Sequence, residues 1–471
     1  MSKRIVIIGG GITGLTAGWK LSEAGASVVV LERKGEVGGI SGSFKRGDCT
    51  LDYGPHKVYT QIPGVLEEFR ELLREDFIAI PKSQKLLVRG RYYAFPVKVQ
   101  QLLTGMSPVL AARCGVAYAV AIGRRVVAPL PDVNYENFLL NRFGTVVYKL
   151  LFEPYAWKVW GDPKLLSSDL AKARVSVPSL GELLKRVVMG DGDNRELSAK
   201  TFYYPRKGFG EVCDKLAERI RSHGGEVLTS CTATRIVVSD GGVSQVEYST
   251  GGVAKRVDAS FVLSTVPVNE LPGMIFPLPP STVLDAASRL KWRSVILVYI
   301  VAAKDRLFQE NWLFFPEREF CFNRVSEQKG FNPELVPAGK TVLCCEITCD
   351  FLDANWRAAD AELFERVTVD LEKARILSRG DVVTRECFTV KLKDPYPLYS
   401  LDYSQNLSKV LGYSDSIKGL MTLGRLGLFN YNNTDHCVDM ARKAADHILS
   451  NRSVEEWKAQ REVFKKYVIV D

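Results

Sequence analysis

Histidine is scarce in this chain, four among 471 residues, and no two of the ten cysteines form a CxxC pair. A zinc-type site needs such ligands at such spacing, so no metal is expected. Cys344, Cys345 and Cys349 sit close together but read as a buried strand and its exit. Long apolar runs are also missing. The most apolar stretch, Val109 to Leu130, is broken by Arg113, Arg124 and Arg125, and is too charged and too short for a membrane span. No signal-like apolar core precedes the first strand pattern, so a reducing cytoplasm is the expected location, with peripheral membrane contact left open. Charge of one sign is weak: 63 Lys and Arg against 54 Asp and Glu give +9. That favours an anionic small-molecule substrate or an acidic surface, and without a dense basic stripe it argues against nucleic acid. The composition, 46% hydrophobic and 25% charged, excludes a disordered or collagen-like chain. At roughly 150 residues per domain, the length implies about three units or two large ones. Nothing in it reveals the oligomeric state.

What is present is concentrated at the start. Arg4 to Ile8 is a β-branched run suited to a strand buried on both faces. Gly9, Gly11 and Gly14 follow at GxGxxG spacing, then a helix from Leu15 to Ala24 and a second buried strand, Ser27 to Glu32. In such a βαβ unit the first glycine permits the tight turn, the second lets backbone approach a pyrophosphate, and the third lets helix and strand pack. The pyrophosphate meets the helix N-terminus. Glu32 ends the second strand, where an acid accepts hydrogen bonds from a ribose. The pattern predicts a dinucleotide site.

Further along, Leu86 to Phe95 reads as a hairpin through Arg89-Gly90, and Val97 to about Val187 as mostly helical. Strand patterns return near Phe202, at Arg235 to Val238, at Phe261 to Pro267 (ending in a turn), at Trp292 to Val301 and at Thr341 to Thr348. Met421 to Arg425 is a last short strand, Asp435 to Leu449 a final long helix, and Glu455 to Tyr467 a charged helical tail expected on the surface. The fold class is α/β: a discontinuous Rossmann-like domain (1–79, 201–288, 415–452) with an inserted α+β substrate domain (80–200, 289–414) and a tail, 453–471.

Glu32-Arg33 leads to a second glycine turn, Gly38-Gly39-Ile40-Ser41-Gly42, and this resembles the extended signature of the flavin amine oxidase superfamily. Four more segments resemble its protoporphyrinogen oxidase-like branch, which includes the UDP-galactopyranose mutases: Asp52 to His56, Phe152 to Gly161, Tyr204 to Gly210, and Gly424 to His436. The resemblance implies FAD as cofactor. It implies binding by Gly9, Gly11, Thr13, Gly14, Glu32, Arg33, Gly38, Gly39, Ile40, Ser41, Gly424, Arg425, Asn433, Asp435 and His436, with the backbone around Ile236 meeting adenine. It also places Arg425, Asn433, Asp435 and His436 beside the isoalloxazine. Asp435 reads as the N-cap of the last long helix, whose positive end would face the flavin pyrimidine. His56, Arg425 and His436 are the catalytic candidates; His56 either contacts the flavin and carries protons or only satisfies loop backbone.

Tyr155, Trp157, Lys158 and Trp160 either line a substrate pocket or form the core and rim of a helix pair. Tyr203, Arg206 and Lys207 either face a substrate anion or solvent. The primary expectation is an FAD-dependent oxidoreductase moving a hydride from a substrate carbon to flavin N5. The alternative is a redox-neutral mutase acting on a nucleotide sugar through reduced FAD. A third is a non-enzymatic flavoprotein. Departures from the mutases are the absence of a clean mid-chain glycine- and tryptophan-containing element and an oxidase-like Tyr204-Pro-Arg-Lys-Gly208 loop.

Overall fold

The computed structural model describes residues 4–95, 106–175, 200–467 and 469. Parts of the helical stretch read from Val97 to Val187 fall on 96–105 and 176–199, outside the described residues. The chain divides into two units, one made of Met1–Ala79, Tyr203–Lys291 and Tyr403–Ile469, the other of Ile80–Phe202 and Trp292–Asp402.

The first unit is built on a five-stranded sheet in the order Leu420–Thr422, Phe261–Ser264, Arg4–Ile8, Ser27–Leu31, Glu226–Leu228. Every pairing is parallel, with Ile5 in register with Val28 on one side and Phe261 on the other. Parallel strands covered on both faces need continuous apolar sequence, which explains the unbroken Ile5-Val-Ile-Ile8 and Val28-Val-Val-Leu31 runs. Helices Ile12–Glu23, Glu211–Ser222 and Thr434–Leu449 cover one face. A second, four-stranded sheet covers the other, and Val6, Ile8, Val29, Leu31, Ile236 and Val246 close the core between the two sheets.

The second unit has a seven-stranded sheet in the order Phe388–Pro397, Trp292–Ala302, Thr341–Cys349, Arg324–Glu327, Trp312–Phe314, Gln84–Val88, Arg91–Ala94. Its two long inner strands, Trp292–Ala302 and Thr341–Cys349, are buried at every position, and the second carries Cys344, Cys345 and Cys349. Helix Asp360–Lys373 closes this core through Leu363, Val367 and Leu371. The hairpin Gln84–Ala94 turns on Arg89 and Gly90, both at positive φ (51° and 75°), the geometry that matches strand twist. The helical part comprises Pro108–Val127, Tyr135–Val147, a π-helical turn Tyr148–Phe152, Glu153–Val159 and Ser168–Arg174.

Two expectations change. Helix Tyr403–Ser416 belongs to the first unit, because it leads into the edge strand Leu420–Thr422 and packs on helix Ser281–Arg289. The tail is not a surface appendage. Ser453 and Glu456 form a capping box that starts helix Val454–Phe464, and the helix buries Trp457 and Phe464 against the body of the unit. Its charged residues hid an apolar stripe at helical spacing.

Candidate cofactor-binding site

The two glycine turns are locked to each other. Gly38 N donates to Gly10 O at 2.7 Å, and Gly11 and Gly38 pair as a parallel bridge. Gly9 lies at φ +107°, and a Cβ there would come within 2.2 Å of Thr265 Oγ1; at Gly14 a Cβ would strike Gly9 O at 2.1 Å. These two glycines are demanded by the protein itself. Gly11 is different: a Cβ there would meet only Gly38 O, at 3.9 Å. None of the described residues requires a glycine at that position, so the space it leaves is room for a ligand. Gly11 is also the N-cap of helix Ile12–Glu23, and no side chain caps that helix. Its first amides are therefore donors suited to phosphate oxygens.

Glu32 is buried. Its Oε2 accepts from Gly10 N and its Oε1 from Lys34 N, both at 2.8 Å. Two backbone donors hold the carboxylate at the end of its strand, and its remaining lone pairs suit ribose hydroxyls. Arg33 is exposed beside it, whereas Gly39, Ile40 and Ser41 form a short 3₁₀ turn closed by Ser41 N to Gly38 O. Ile236 lies mid-strand between Val246 and Ile275 with its side chain in the core, and its strand begins beside Glu32, where Cys231 N donates to Glu32 O.

Asp52 ties three of the sequence segments together. Its buried carboxylate accepts from Ser43 Oγ (2.5 Å), Phe209 N (3.0 Å) and the Tyr204 hydroxyl, and Ser43 Oγ accepts in turn from Gly210 N (2.7 Å). The second glycine turn, the Asp52–His56 loop and the Tyr204–Gly210 loop are thus one network, and Asp52 is a positioning residue that the sequence reading passed over. On it stands His56, with Nδ1 3.1 Å from Gly54 O and its ring 5.0 Å from that of Phe209. A carbonyl at Nδ1 fixes the proton there and makes Nε2 the other, basic nitrogen.

The last segment closes against the first. Gly424 lies at φ +85°, and a Cβ there would come within 2.9 Å of Thr13 Oγ1, so the loop after the last strand meets the start of the dinucleotide helix. Arg425 braces this loop by donating to Asn432 O at 2.7 Å and lies 5.5 Å from the centre of the Tyr431 ring. Asp435 was expected to cap helix Thr434–Leu449, but the cap is Asn433. Its side chain accepts from the His436 amide, and His436 Nδ1 accepts from Asn433 N at 3.2 Å. Asp435 sits two positions further in, where the backbone is already helical, with burial pushing its carboxyl above the usual range. His436, expected as catalytic, is held by the cap and stacked on Tyr467 of the tail (4.6 Å, 9° between planes).

Asn432 stands out in this loop. It is 4% exposed, and neither its Nδ2 nor its Oδ1 has a hydrogen-bond partner. A buried amide without partners costs about 1–3 kcal/mol, so a ligand edge offering both a donor and an acceptor is the natural complement. Asn432 lies inside the Gly424–His436 segment, and the side-by-side asparagines were the available signal for it.

A scan of family models matches residues 12–445 to the flavin containing amine oxidoreductases. The chain belongs to this family. Among curated relatives, it is 24% identical over 282 residues to coproporphyrinogen III oxidase of Propionibacterium freudenreichii, covering 50% of this chain and 53% of that protein, so it spans about half the length of that relative. It is 24% identical over 472 residues to a probable UDP-galactopyranose mutase of Klebsiella pneumoniae, covering 97% of each. Among solved structures, reduced UDP-galactopyranose mutase superposes with a TM-score of 0.81 at 22% identity, over 96% of this chain and 95% of that one. The fold is the FAD-binding Rossmann-like one, and the protein is an FAD-dependent enzyme. The open space at Gly11, the uncapped helix and the unpartnered Asn432 amide fit that cofactor.

The candidate substrate residues divide between the units. In the first, Tyr203 stacks on Phe77 (4.9 Å) and its hydroxyl accepts from Arg70 (3.0 Å). Lys207 is bound by Asp76 (2.6 Å) and Glu211 (3.1 Å), and Arg206 lies 3.6 Å from Asp76. These cations face carboxylates rather than an open anion site. In the second unit, Trp160 is buried against Tyr135 and meets Tyr155 edge-on, while Trp157 is exposed with Arg318 over its ring. Lys158 Nζ donates to Phe315 O (2.7 Å), Phe322 O (3.1 Å) and Glu317 O. All three of its hydrogens are committed, and burial pulls its pKa down to about 8. The anion-binding role expected of Lys158 is thus replaced by a structural one: it pins the chain at 315–322 to helix Glu153–Val159. In the same unit Gln84 is buried with neither amide atom paired, next to Trp312 on the neighbouring strand. A glutamine inside an apolar strand was the signal for this pair.

Proposed function

We propose that the protein oxidises a small organic substrate that does not depend on a strong anionic handle, with FAD taking the hydride. The state of the cations carries this reading. Lys158, Arg206 and Lys207, the candidates for holding an anion, are respectively committed to carbonyls and facing carboxylates. A nucleotide sugar brings a diphosphate, which needs uncommitted cations in a site of lowered dielectric. When bound, FAD supplies the two-electron acceptor. The protein's part is to hold it: backbone amides of the two glycine turns on the phosphates, Glu32 on the ribose, and Asn432 on a donor-acceptor edge. Arg425 adds a fixed positive charge, and His56, whose Nδ1 faces Gly54 O, serves in this reading as the proton acceptor.

The mutase reading is kept because the chain aligns with a mutase over 97% of both proteins. Anaerobic flavin spectroscopy separates the two. Oxidised holoenzyme is mixed with porphyrinogens, polyenes and amines, and the reduced holoenzyme with UDP-galactopyranose. Stoichiometric loss of flavin absorbance with a polyene or an amine supports the proposal; loss with the porphyrinogens alone, which carry carboxylates, overturns the claim that no anionic handle is needed. Turnover of the UDP-sugar with no net consumption of reductant overturns it.

A further inference from the structure

Helix Pro108–Val127 of the second unit presents an outward face that is apolar where a surface helix is normally polar. Val109, Val116, Val120 and Val127 are 71%, 65%, 64% and 85% exposed. Their spacing of seven, four and seven residues places them on one stripe of the helix, while its buried contacts, Cys114 and Ala121, lie on another face. A groove of about 530 Å³ runs beside the stripe, lined by Val109, Ala112, Arg113, Val116, Ala117 and Val146. The only charges between residues 106 and 131 are Arg113, Arg124 and Arg125; there is no acidic residue.

We propose that this face docks on an anionic lipid surface, with the helix lying in the plane of the interface. No helix among the described residues is long and apolar enough to cross a membrane, which fits a helix lying on the surface. The valine stripe enters the headgroup region, and the guanidiniums meet lipid phosphates. Charge selects this occupant over a second copy of the chain. A two-fold pairing of the same patch would set arginines against arginines, with no carboxylate on the helix to relieve them.

The test is co-sedimentation of the FAD-loaded full chain with phosphatidylcholine vesicles, with and without phosphatidylglycerol. The wild type binds the phosphatidylglycerol vesicles, more weakly as salt rises, and binds phosphatidylcholine alone poorly. The double variant Val116→Glu/Val120→Glu weakens binding about tenfold or more. Arg113→Glu/Arg124→Glu weakens it by at least about fivefold per charge reversed. Both retain full flavin content, since the substituted side chains are on the helix surface. No binding to phosphatidylglycerol vesicles, or unchanged binding in either double variant, overturns the proposal. So does a wild-type oligomer that the valine variant splits into monomers, because the face then belongs to a second copy.

Discussion

The glycine cradle and the basic loop after Tyr204 lie in the same unit and are cross-linked through Asp52, yet they differ in one respect. The cradle leaves bonding capacity unused: an uncapped helix, an open Gly11 and a buried Asn432 amide without partners. The loop does not: Lys207 holds two carboxylates and Tyr203 a ring and a guanidinium. By sequence the cradle read as a phosphate site, whereas the loop's cations read as facing either a substrate anion or solvent. Unmet valence, rather than residue type, tells a site from a brace.

Gly11→Val should break the comparison most severely. Its side chain would fill the space left for the pyrophosphate, and the protein should purify colourless; a full complement of FAD in this variant would refute the assignment. The next effect tests the brace in the second unit. Lys158→Met leaves three carbonyl acceptors without their donor, and should lower stability by about 2 kcal/mol in denaturant titration at neutral pH. The pH dependence sharpens it. The folded pKa of about 8 lies below the ordinary 10.5, so between these values the unfolded chain binds more protons than the folded one. Lys158 therefore adds stability as pH rises from 8 to 10.5, about 3 kcal/mol at most, and the variant should lose that slope. The smallest effect belongs to the basic loop. Lys207→Ala removes its ion pairs with Asp76 and Glu211, each worth about 1 kcal/mol or less, and should leave the KM for substrate unchanged. A tenfold rise in KM would return Lys207 to the substrate site.

These contrasts follow how much of the molecule was legible beforehand. The Rossmann-like βαβ unit and Glu32 could be read because their glycines, strands and acid all fall within one short stretch of sequence, with Glu32 22 residues from its partner Gly10. The cap of helix Thr434–Leu449 was misplaced by two residues. An Asp in the first turn and an Asn before it both suit a helix start, and the choice fell to the His436 imidazole, an uncommon partner in a capping box. Lys158 was illegible for another reason. Its partners are backbone carbonyls about 160 residues away, which carry no sequence signature. The docking of the tail turns on Trp457, Phe464 and Tyr467, three aromatics spread among charges.

Asn432 offers the most direct measurement. Asn432→Leu exchanges an unpartnered buried amide for an apolar side chain of similar size, and FAD titration should be paired with thermal unfolding of the FAD-free protein. FAD should bind about 10- to 100-fold more weakly, while the FAD-free protein keeps or gains stability. Unchanged FAD affinity together with a destabilised FAD-free protein would contradict the account, because the amide would then serve the fold and not the cofactor.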